Sequence, residues 1–198
     1  MRAAFIDKDG TLVDNVPYNI DPARVSLSKG AVTGLRLLRK HGFKLFVVTN
    51  QPGVARGYFP ESDLMPLFDH IHRVLDLQDV ALDGFYYCPH SPDGTVQQYA
   101  IDCSCRKPLP GMLLHAAKEH GIDLSASWMI GDILNDVECG RRAGCRTVLI
   151  DNGNETEWLW SQWRRPHLVA PDLHAAATMI CSLDNARSTS NMHSDAES

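Results

Sequence analysis

Long apolar runs are missing from this 198-residue sequence, although 44% of its residues are hydrophobic. No stretch approaches the roughly 18 consecutive apolar residues that would predict a membrane-spanning helix. The N-terminus also lacks the basic stretch and apolar segment of a secretory signal. We therefore expect a protein with no membrane partner, located in the cytoplasm, where its six cysteines would be reduced thiols.

Basic residues are scarce relative to acidic ones. The sequence holds 19 lysines and arginines against 24 aspartates and glutamates, which gives a formal net charge of −5. Proteins that bind the phosphate backbone of nucleic acids draw on a surplus of lysine and arginine, so this composition disfavours nucleic acid as a partner. Any anionic ligand would have to be held by a local cluster of donors.

Internal repeats are absent, and the length favours a single domain. Near-continuous apolar runs of strand length alternate with helical patterns, at residues 3–6, 45–48, 85–88, 128–130 and 147–150. This alternation predicts an α/β fold in which helices cover both faces of a parallel sheet. We expect the folded domain to occupy residues 1–184 and the polar tail at 185–198 to be disordered.

Polar side chains follow four of the predicted strands, at the edge where such sheets bind ligands. The four pairs are Asp7 and Asp9, Thr49 and Asn50, Arg106 and Lys107, and Asp132 and Asp136. Carboxylates that converge on one edge repel one another unless a cation neutralises them, and Mg²⁺ is the natural oxygen-seeking candidate. A carboxylate, a metal, a lysine and a hydroxyl together predict a phosphoryl-transfer site.

A second metal site is predicted by the spacing of Cys88, His90, Cys103 and Cys105. Three thiolates and an imidazole suit tetrahedral Zn²⁺, and four protein ligands leave no open position for catalysis. We interpret this set as a structural zinc site that fixes a long loop beside Arg106 and Lys107. The alternative is a group of buried free thiols with a surface histidine.

Four motifs carry a resemblance to the haloacid dehalogenase (HAD) superfamily of phosphatases, in the order of that superfamily over residues 3–151. They are "DKDGT" at 7–11, "VVTN" at 47–50, "RKP" at 106–108 and "GDILND" at 131–136. The resemblance implies a Rossmann-like fold in which Asp7 attacks phosphorus and forms an aspartyl-phosphate that water hydrolyses. Asp9 would protonate the leaving oxygen and later deprotonate the water.

The same resemblance implies roles for the other strand-end residues. Thr49 would hold a phosphoryl oxygen, and Lys107 would place its charge on the phosphoryl group and Asp7. The ligands of Mg²⁺ would be Asp7, the backbone carbonyl of Asp9, and Asp132. Asp136 would support this set from behind, although an acid at the start of a helix also has the simpler role of favouring the helix dipole.

The zinc-ligand spacing and the segment "TNQPGVARGYF" at 49–59 narrow the resemblance to the D-glycero-D-manno-heptose 1,7-bisphosphate 7-phosphatases. It implies removal of the C7 phosphate from a small phosphorylated sugar. We expect the enzyme to be a monomer. The short connections leave no room for a cap domain, so we expect an open site. By position, the substrate would contact Asn15, Val16, Pro17, Tyr18, Thr49, Asn50, Gln51, Pro52, Arg106 and Lys107.

Two departures from that family pattern bear on the substrate. Pro52 stands where serine is common, and Ile133 stands where a lysine or arginine is often found. One alternative is therefore another small phosphomonoester, histidinol phosphate first. An alternative of a different class is a non-catalytic receiver-like module that accepts phosphate on an aspartate, although the order of the motifs argues against it.

The stretch "WLWSQWRR" at 158–165 contains three of the four tryptophans. Large aromatic side chains dominate buried area, so packing of this stretch on the body of the domain is one interpretation. The other is a surface that faces a partner or the substrate.

Overall fold

The structure, a computed structural model, describes residues 1–194, with side chains described as far as residue 186. One sheet forms its centre, built from β1 (Ala3–Ile6), β2 (Lys44–Asn50), β3 (Gly84–Cys88), β4 (Trp128–Gly131), β5 (Arg146–Ile150) and β6 (Leu168–Ala170). The strand order is β3-β2-β1-β4-β5-β6, and every neighbouring pair is parallel. All the carboxyl ends therefore meet at one edge of the sheet.

Helices cover both faces of this sheet. They are α1 (Ala31–Lys40), α2 (Leu64–Asp76), α3 (Gly111–His120), α4 (Leu134–Ala143) and α5 (Leu173–Ser194). Ala4 and Ile6 of β1 share a buried cluster with residues of α1, α2 and α5. Ala3 and Phe5 point to the opposite face and pack with residues of α3 and α4. The predicted α/β fold with a parallel sheet is confirmed.

The connections that lead to the sheet edge are short. Between β1 and β2 the chain forms loops, a short 3₁₀ turn and α1, and between β2 and β3 it forms another 3₁₀ turn and α2. Two helices end at glycines in the left-handed conformation, α3 at Gly121 (φ 64°) and α4 at Gly144 (φ 88°). The expected absence of an inserted cap domain agrees with these connections.

Two elements differ from the expectation at the C-terminal side. Strand β6 was not predicted, because a partly exposed strand of three residues carries almost no pattern. Helix α5 continues to Ser194, into the 185–198 segment expected to be a disordered tail, and residues 195–198 lie outside the described part. A helix whose first turns are fixed by burial of Leu173, Ala176 and Ile180 extends at little further cost. None of the described helices is long and apolar enough to cross a bilayer.

The tryptophan-rich stretch lies on the surface in an irregular segment. Trp158, Trp160 and Trp163 are 44%, 56% and 38% exposed. The rings of Trp158 and Trp160 contact each other with centroids 5.6 Å apart, and the Arg142 guanidinium lies 5.3 Å above the Trp163 ring. The packing interpretation therefore applies to the contact of Trp163 with α4 and not to the other two rings.

The burial of α1 leads to a stability prediction. Replacing Leu35, which is fully buried between α1 and the sheet, by alanine should lower the free energy of unfolding by about 2–5 kcal/mol, because a cavity replaces the lost side chain. Leu77→Ala, at a position 79% exposed, is the matched control and should change it by less than about 0.5 kcal/mol. Urea denaturation measures both, and equal effects would contradict the described core.

Candidate active site

The carboxyl edge of the sheet brings together residues that are far apart in the sequence. Asp7 follows β1, Thr49 lies near the end of β2, and Asp132 follows β4. The backbone N–H of Asp7 donates to the carbonyl of Ile130 at 2.9 Å, so the β1–β4 pairing continues to the first acid. Lys107 reaches the same place from the long loop after β3. The structure therefore brings these residues together at one edge of the sheet, as the sequence predicted.

Lys107 lies at the centre of this edge, buried at 4% exposure. Its ammonium group contacts Asp7 Oδ1, lies 2.7 Å from Asp136 Oδ1, and donates to the carbonyl of Val48 at 3.1 Å. The backbone around Lys107 is held by Asn50, whose amide donates to the Lys107 carbonyl and accepts from the Lys107 N–H, both at 3.0 Å. The lysine is thus fixed at both its backbone and its charged end.

Asp136 combines the two roles that its sequence position allows. Its Oδ1 atom pairs with Lys107, whereas its Oδ2 atom accepts from the backbone N–H of Ile133 at 3.3 Å, at the start of α4. A first-turn acid favours the helix dipole, and a buried carboxylate beside an ammonium stabilises that charge. Asp136 therefore connects α4 to the lysine rather than standing behind Asp132 alone.

The protonation of these groups reflects burial. Burial raises the pKa of the Asp7 carboxyl well above its ordinary value, Lys107 opposes this, and the neighbouring acids reinforce it. Burial and then Asp136 raise the pKa of Asp132 to about 6, against a hydrogen bond from Asn154. Burial acts to lower the pKa of Lys107, but Asp136 and Asp7 outweigh it and raise that pKa. The positive charge of Lys107 therefore does not offset burial and repulsion at Asp7 and Asp132.

A metal ion would supply the missing positive charge if the carboxylates are arranged to bind it. Carboxylate oxygens of Asp7, Asp132 and Asp136 all lie within 4.8 Å of one another, and all three residues are buried. Hard oxygen ligands grouped in this way suit Mg²⁺, and an added dication would offset the repulsion among the three carboxylates. The side chain of Asp9 is not part of this group, so its expected contribution through the backbone carbonyl stays a prediction.

Asp9 is instead held at its carboxylate by two neighbours. Lys8 Nζ lies 2.6 Å from Asp9 Oδ1, and the Gln51 amide donates to Asp9 Oδ2 at 3.3 Å and to the Thr49 hydroxyl at 3.0 Å. Lys8 is buried at 2% exposure. Sequence reasoning missed Lys8, because a lysine beside two aspartates is usually solvated. These contacts aim the Asp9 carboxylate over the sheet edge.

A cavity of about 200 Å³ opens above these residues. Asn15, Thr49, Asn50 and Lys107 line it, in agreement with their expected place near a substrate. Ile133 and Asn154 also line the cavity although neither was among the predicted site residues. Arg106 does not line the cavity and donates to the carbonyl of His90 at 3.2 Å, while Gln51 is buried against Thr49 and Asp9.

The remaining predicted substrate residues do not line this cavity. Val16, Pro17 and Pro52 do not line the cavity among the described residues. Tyr18, 42% exposed, is contacted through its hydroxyl by Arg56, and Arg56 in turn lies 3.0 Å from the carboxylate of Asp93. Arg56 thus connects three loops: the one after β1, the one after β2 and the one after β3.

The four predicted zinc ligands form a compact cluster. The Sγ atoms of Cys88, Cys103 and Cys105 lie 3.1–3.5 Å apart, and His90 Nδ1 lies 3.4 Å from Cys105 Sγ and 3.6 Å from Cys88 Sγ. The hydrogen bond with Cys88 lowers the pKa of the Cys105 thiol to about 5. Converging sulfur and imidazole atoms of this kind fit a tetrahedral zinc ion.

Known proteins resemble this chain in sequence. The HAD-hydrolase-like family model matches residues 104–176. A protein of Escherichia coli (strain K12) named D-glycero-beta-D-manno-heptose-1,7-bisphosphate 7-phosphatase is 43% identical over 152 residues, which cover 76% of this chain and 80% of the relative. A Yersinia pestis protein of the same name is 41% identical, with 76% and 81% covered.

A solved structure resembles the whole fold. The D,D-heptose 1,7-bisphosphate phosphatase of B. bronchiseptica, complexed with magnesium and phosphate, gives a TM-score of 0.74 at 28% identity. The match covers 92% of this chain and 99% of the other. The parallel sheet, the acids at its edge and the buried lysine therefore define a HAD-like hydrolase.

Within that class, the chain belongs to the D-glycero-beta-D-manno-heptose-1,7-bisphosphate 7-phosphatase family. It is a hydrolase of phosphoric monoesters, and the receiver-like alternative is not supported.

The buried lysine gives a stability prediction for the site. Lys107→Met should lower the free energy of unfolding by about 3–5 kcal/mol in metal-free buffer, because it leaves Asp7 and Asp136 buried without their shared cation. The matched control is Lys29→Met, whose side chain is 92% exposed and 3.8 Å from Asp172; it should change by less than about 1 kcal/mol. Urea denaturation compares the two, and similar losses would argue against a buried charge cluster.

Proposed function

We propose that this protein removes the C7 phosphate of D-glycero-β-D-manno-heptose 1,7-bisphosphate through an aspartyl-phosphate formed on Asp7. The observation that carries the proposal is the position of Asp7, against Lys107 and within 4.8 Å of the Asp132 oxygens. A carboxylate attacks a phosphate dianion only where cations relieve their repulsion. The names of the relatives supply the substrate and its β anomer.

The chemistry would proceed in two halves. In the first, Asp7 attacks phosphorus while Lys107 and the Thr49 hydroxyl hold phosphoryl oxygens, and Asp9 gives a proton to the leaving sugar oxygen. In the second, Asp9 takes a proton from the water that hydrolyses the aspartyl-phosphate. Mg²⁺ held by Asp7, Asp132 and the Asp9 carbonyl would neutralise charge on the phosphoryl group and the acids.

The open rim supports a small substrate with a second phosphate. Asn15 and Asn50 line the cavity, and Arg106, next to the cavity-lining Lys107 in the chain, has donors beyond the one that bonds His90. These donors would hold the sugar hydroxyls or the phosphate at C1. We also propose substrate contacts for residues of the adjoining loops, namely Val16, Pro17, Tyr18, Gln51 and Pro52.

The substrate assignment predicts a clear preference. With Mg²⁺, the purified protein should release phosphate from the heptose bisphosphate with a kcat/KM at least about 100-fold above that for histidinol phosphate, because several donors would be left unpaired by the smaller compound. A coupled phosphate-release assay on both compounds measures this. A higher value for histidinol phosphate would overturn the substrate and leave the reaction class intact.

Three further measurements accompany that assay. Asp7→Asn should lower turnover at least about 1,000-fold, because the nucleophile is lost. Asp79→Asn makes the same chemical change at a side chain that is 97% exposed and should leave turnover unchanged. Chelation of Mg²⁺ should also stop turnover; activity that persists in its absence would count against the proposed ion.

We also propose that Cys88, His90, Cys103 and Cys105 hold one structural Zn²⁺. The protein purified under reducing conditions should contain about one zinc per chain. Cys103→Ala should lose most of that zinc, whereas Cys181→Ala, at a buried cysteine outside the cluster, should retain it. Inductively coupled plasma mass spectrometry measures the metal, and equal zinc in both variants would refute the ligand set.

The cellular setting stays a proposal of the same kind. All six cysteines lie in the described part of the chain, and none forms a disulfide there. Thiolate ligands require reduced cysteines, which favours the cytoplasm. We further propose that the enzyme acts as a monomer.

A further inference from the structure

The segment directly after β5 reaches the metal-binding acids, although neither the motifs nor the proposed mechanism involves it. We call residues 152–155 the strap. Strand β5 lies next to β4 in the sheet, so the chain that leaves β5 passes beside Asp132 at the end of β4. The strand order therefore brings the strap next to Asp132.

Three contacts attach the strap to three parts of the site. Asn152 donates from Nδ2 to the carbonyl of Gly10 at 2.7 Å, and Asn154 donates from Nδ2 to Asp132 Oδ2 at 2.7 Å. Glu155 accepts at Oε2 from the backbone N–H of Leu134 at 2.6 Å, at the start of α4. The strap is also fixed within itself, because the Asn154 N–H donates to Asn152 Oδ1 at 3.2 Å.

The contact with Asp132 is close and leaves little freedom. A carboxylate only accepts hydrogen bonds, so the amide nitrogen of Asn154 must face it. The Thr11 hydroxyl lies 3.5 Å from the other Asp132 oxygen, Oδ1, which is a long contact. Gly10, at φ +86°, makes room for the pair, because a Cβ there would lie 2.1 Å from Asp132 Oδ2 and 2.4 Å from Asn154 Nδ2.

We propose that Asn154 is a positioning residue that fixes the Asp132 carboxylate in the orientation needed to bind Mg²⁺. This inference rests on the magnesium site of the proposed function. The amide bonds to Oδ2 and thereby restricts rotation of the carboxylate, one oxygen of which lies within 4.8 Å of oxygens of Asp7 and Asp136. Residues that orient metal ligands through hydrogen bonds typically change metal affinity by about 10–100-fold when they are removed.

The test measures Mg²⁺ binding directly, without turnover. Isothermal titration calorimetry of the full chain with Mg²⁺ in metal-depleted buffer measures the dissociation constant. That constant should be at least about 10-fold larger for Asn154→Ala than for wild type. Thr156→Ala, in an exposed position of the same loop, is the matched control and should bind as wild type does. A dissociation constant for Asn154→Ala within about twofold of wild type would overturn the inference.

Two more variants distinguish the amide of Asn154 from the strap as a whole. Asn154→Leu keeps the size of the side chain but not its amide, so it should weaken binding as Asn154→Ala does, even if the alanine variant folds poorly. Asn152→Ala loosens the strap without touching Asp132; if it weakens binding as much as Asn154→Ala, the effect belongs to the whole strap and the role of Asn154 is wrong. Wild-type protein that binds no Mg²⁺ would instead refute the magnesium site itself.

Discussion

The buried ammonium of Lys107 is the interaction on which the site depends. Its contacts with Asp7 and Asp136 place one positive charge between two buried carboxylates, and it opposes the effect of burial, which raises the pKa of Asp7. Removing two charges from water is costly, and attraction between them compensates only where the geometry is fixed. One lysine cannot neutralise all these carboxylates. The site therefore retains an excess of negative charge that a divalent cation would neutralise.

The fixed geometry comes from the sheet. Parallel strands end at a common edge, and the β1–β4 pairing continues to the N–H of Asp7, so the first acid has little backbone freedom. Apolar side chains such as Phe5 and Ile6 alternate between two buried clusters, one under each layer of helices. Their burial stabilises the fold enough to tolerate an unfavourable concentration of charge at one edge.

Strands and the residues at their ends could be predicted from the sequence, because Asp7, Lys107, Asp132 and the cysteine–histidine set all belong to local patterns with one physical meaning. Lys8 and Asn154 carry no such signal, because each acquires its partner only when the chain folds around it. The same holds for the bond between Asp136 and Lys107, which joins a helix to a distant loop. Edge strand β6 was too short to show a period.

The position of the cysteine–histidine cluster bears on how the buried Lys107 side chain is held in one orientation. The loop after β3 is long and irregular, and ordering it costs conformational entropy. Cys105 lies two residues before Lys107, and Arg106 between them donates to the carbonyl of His90, itself a cluster member. The proposed zinc ion would fix both ends of the loop, so the orientation of the buried lysine would depend on a metal that takes no part in the chemistry.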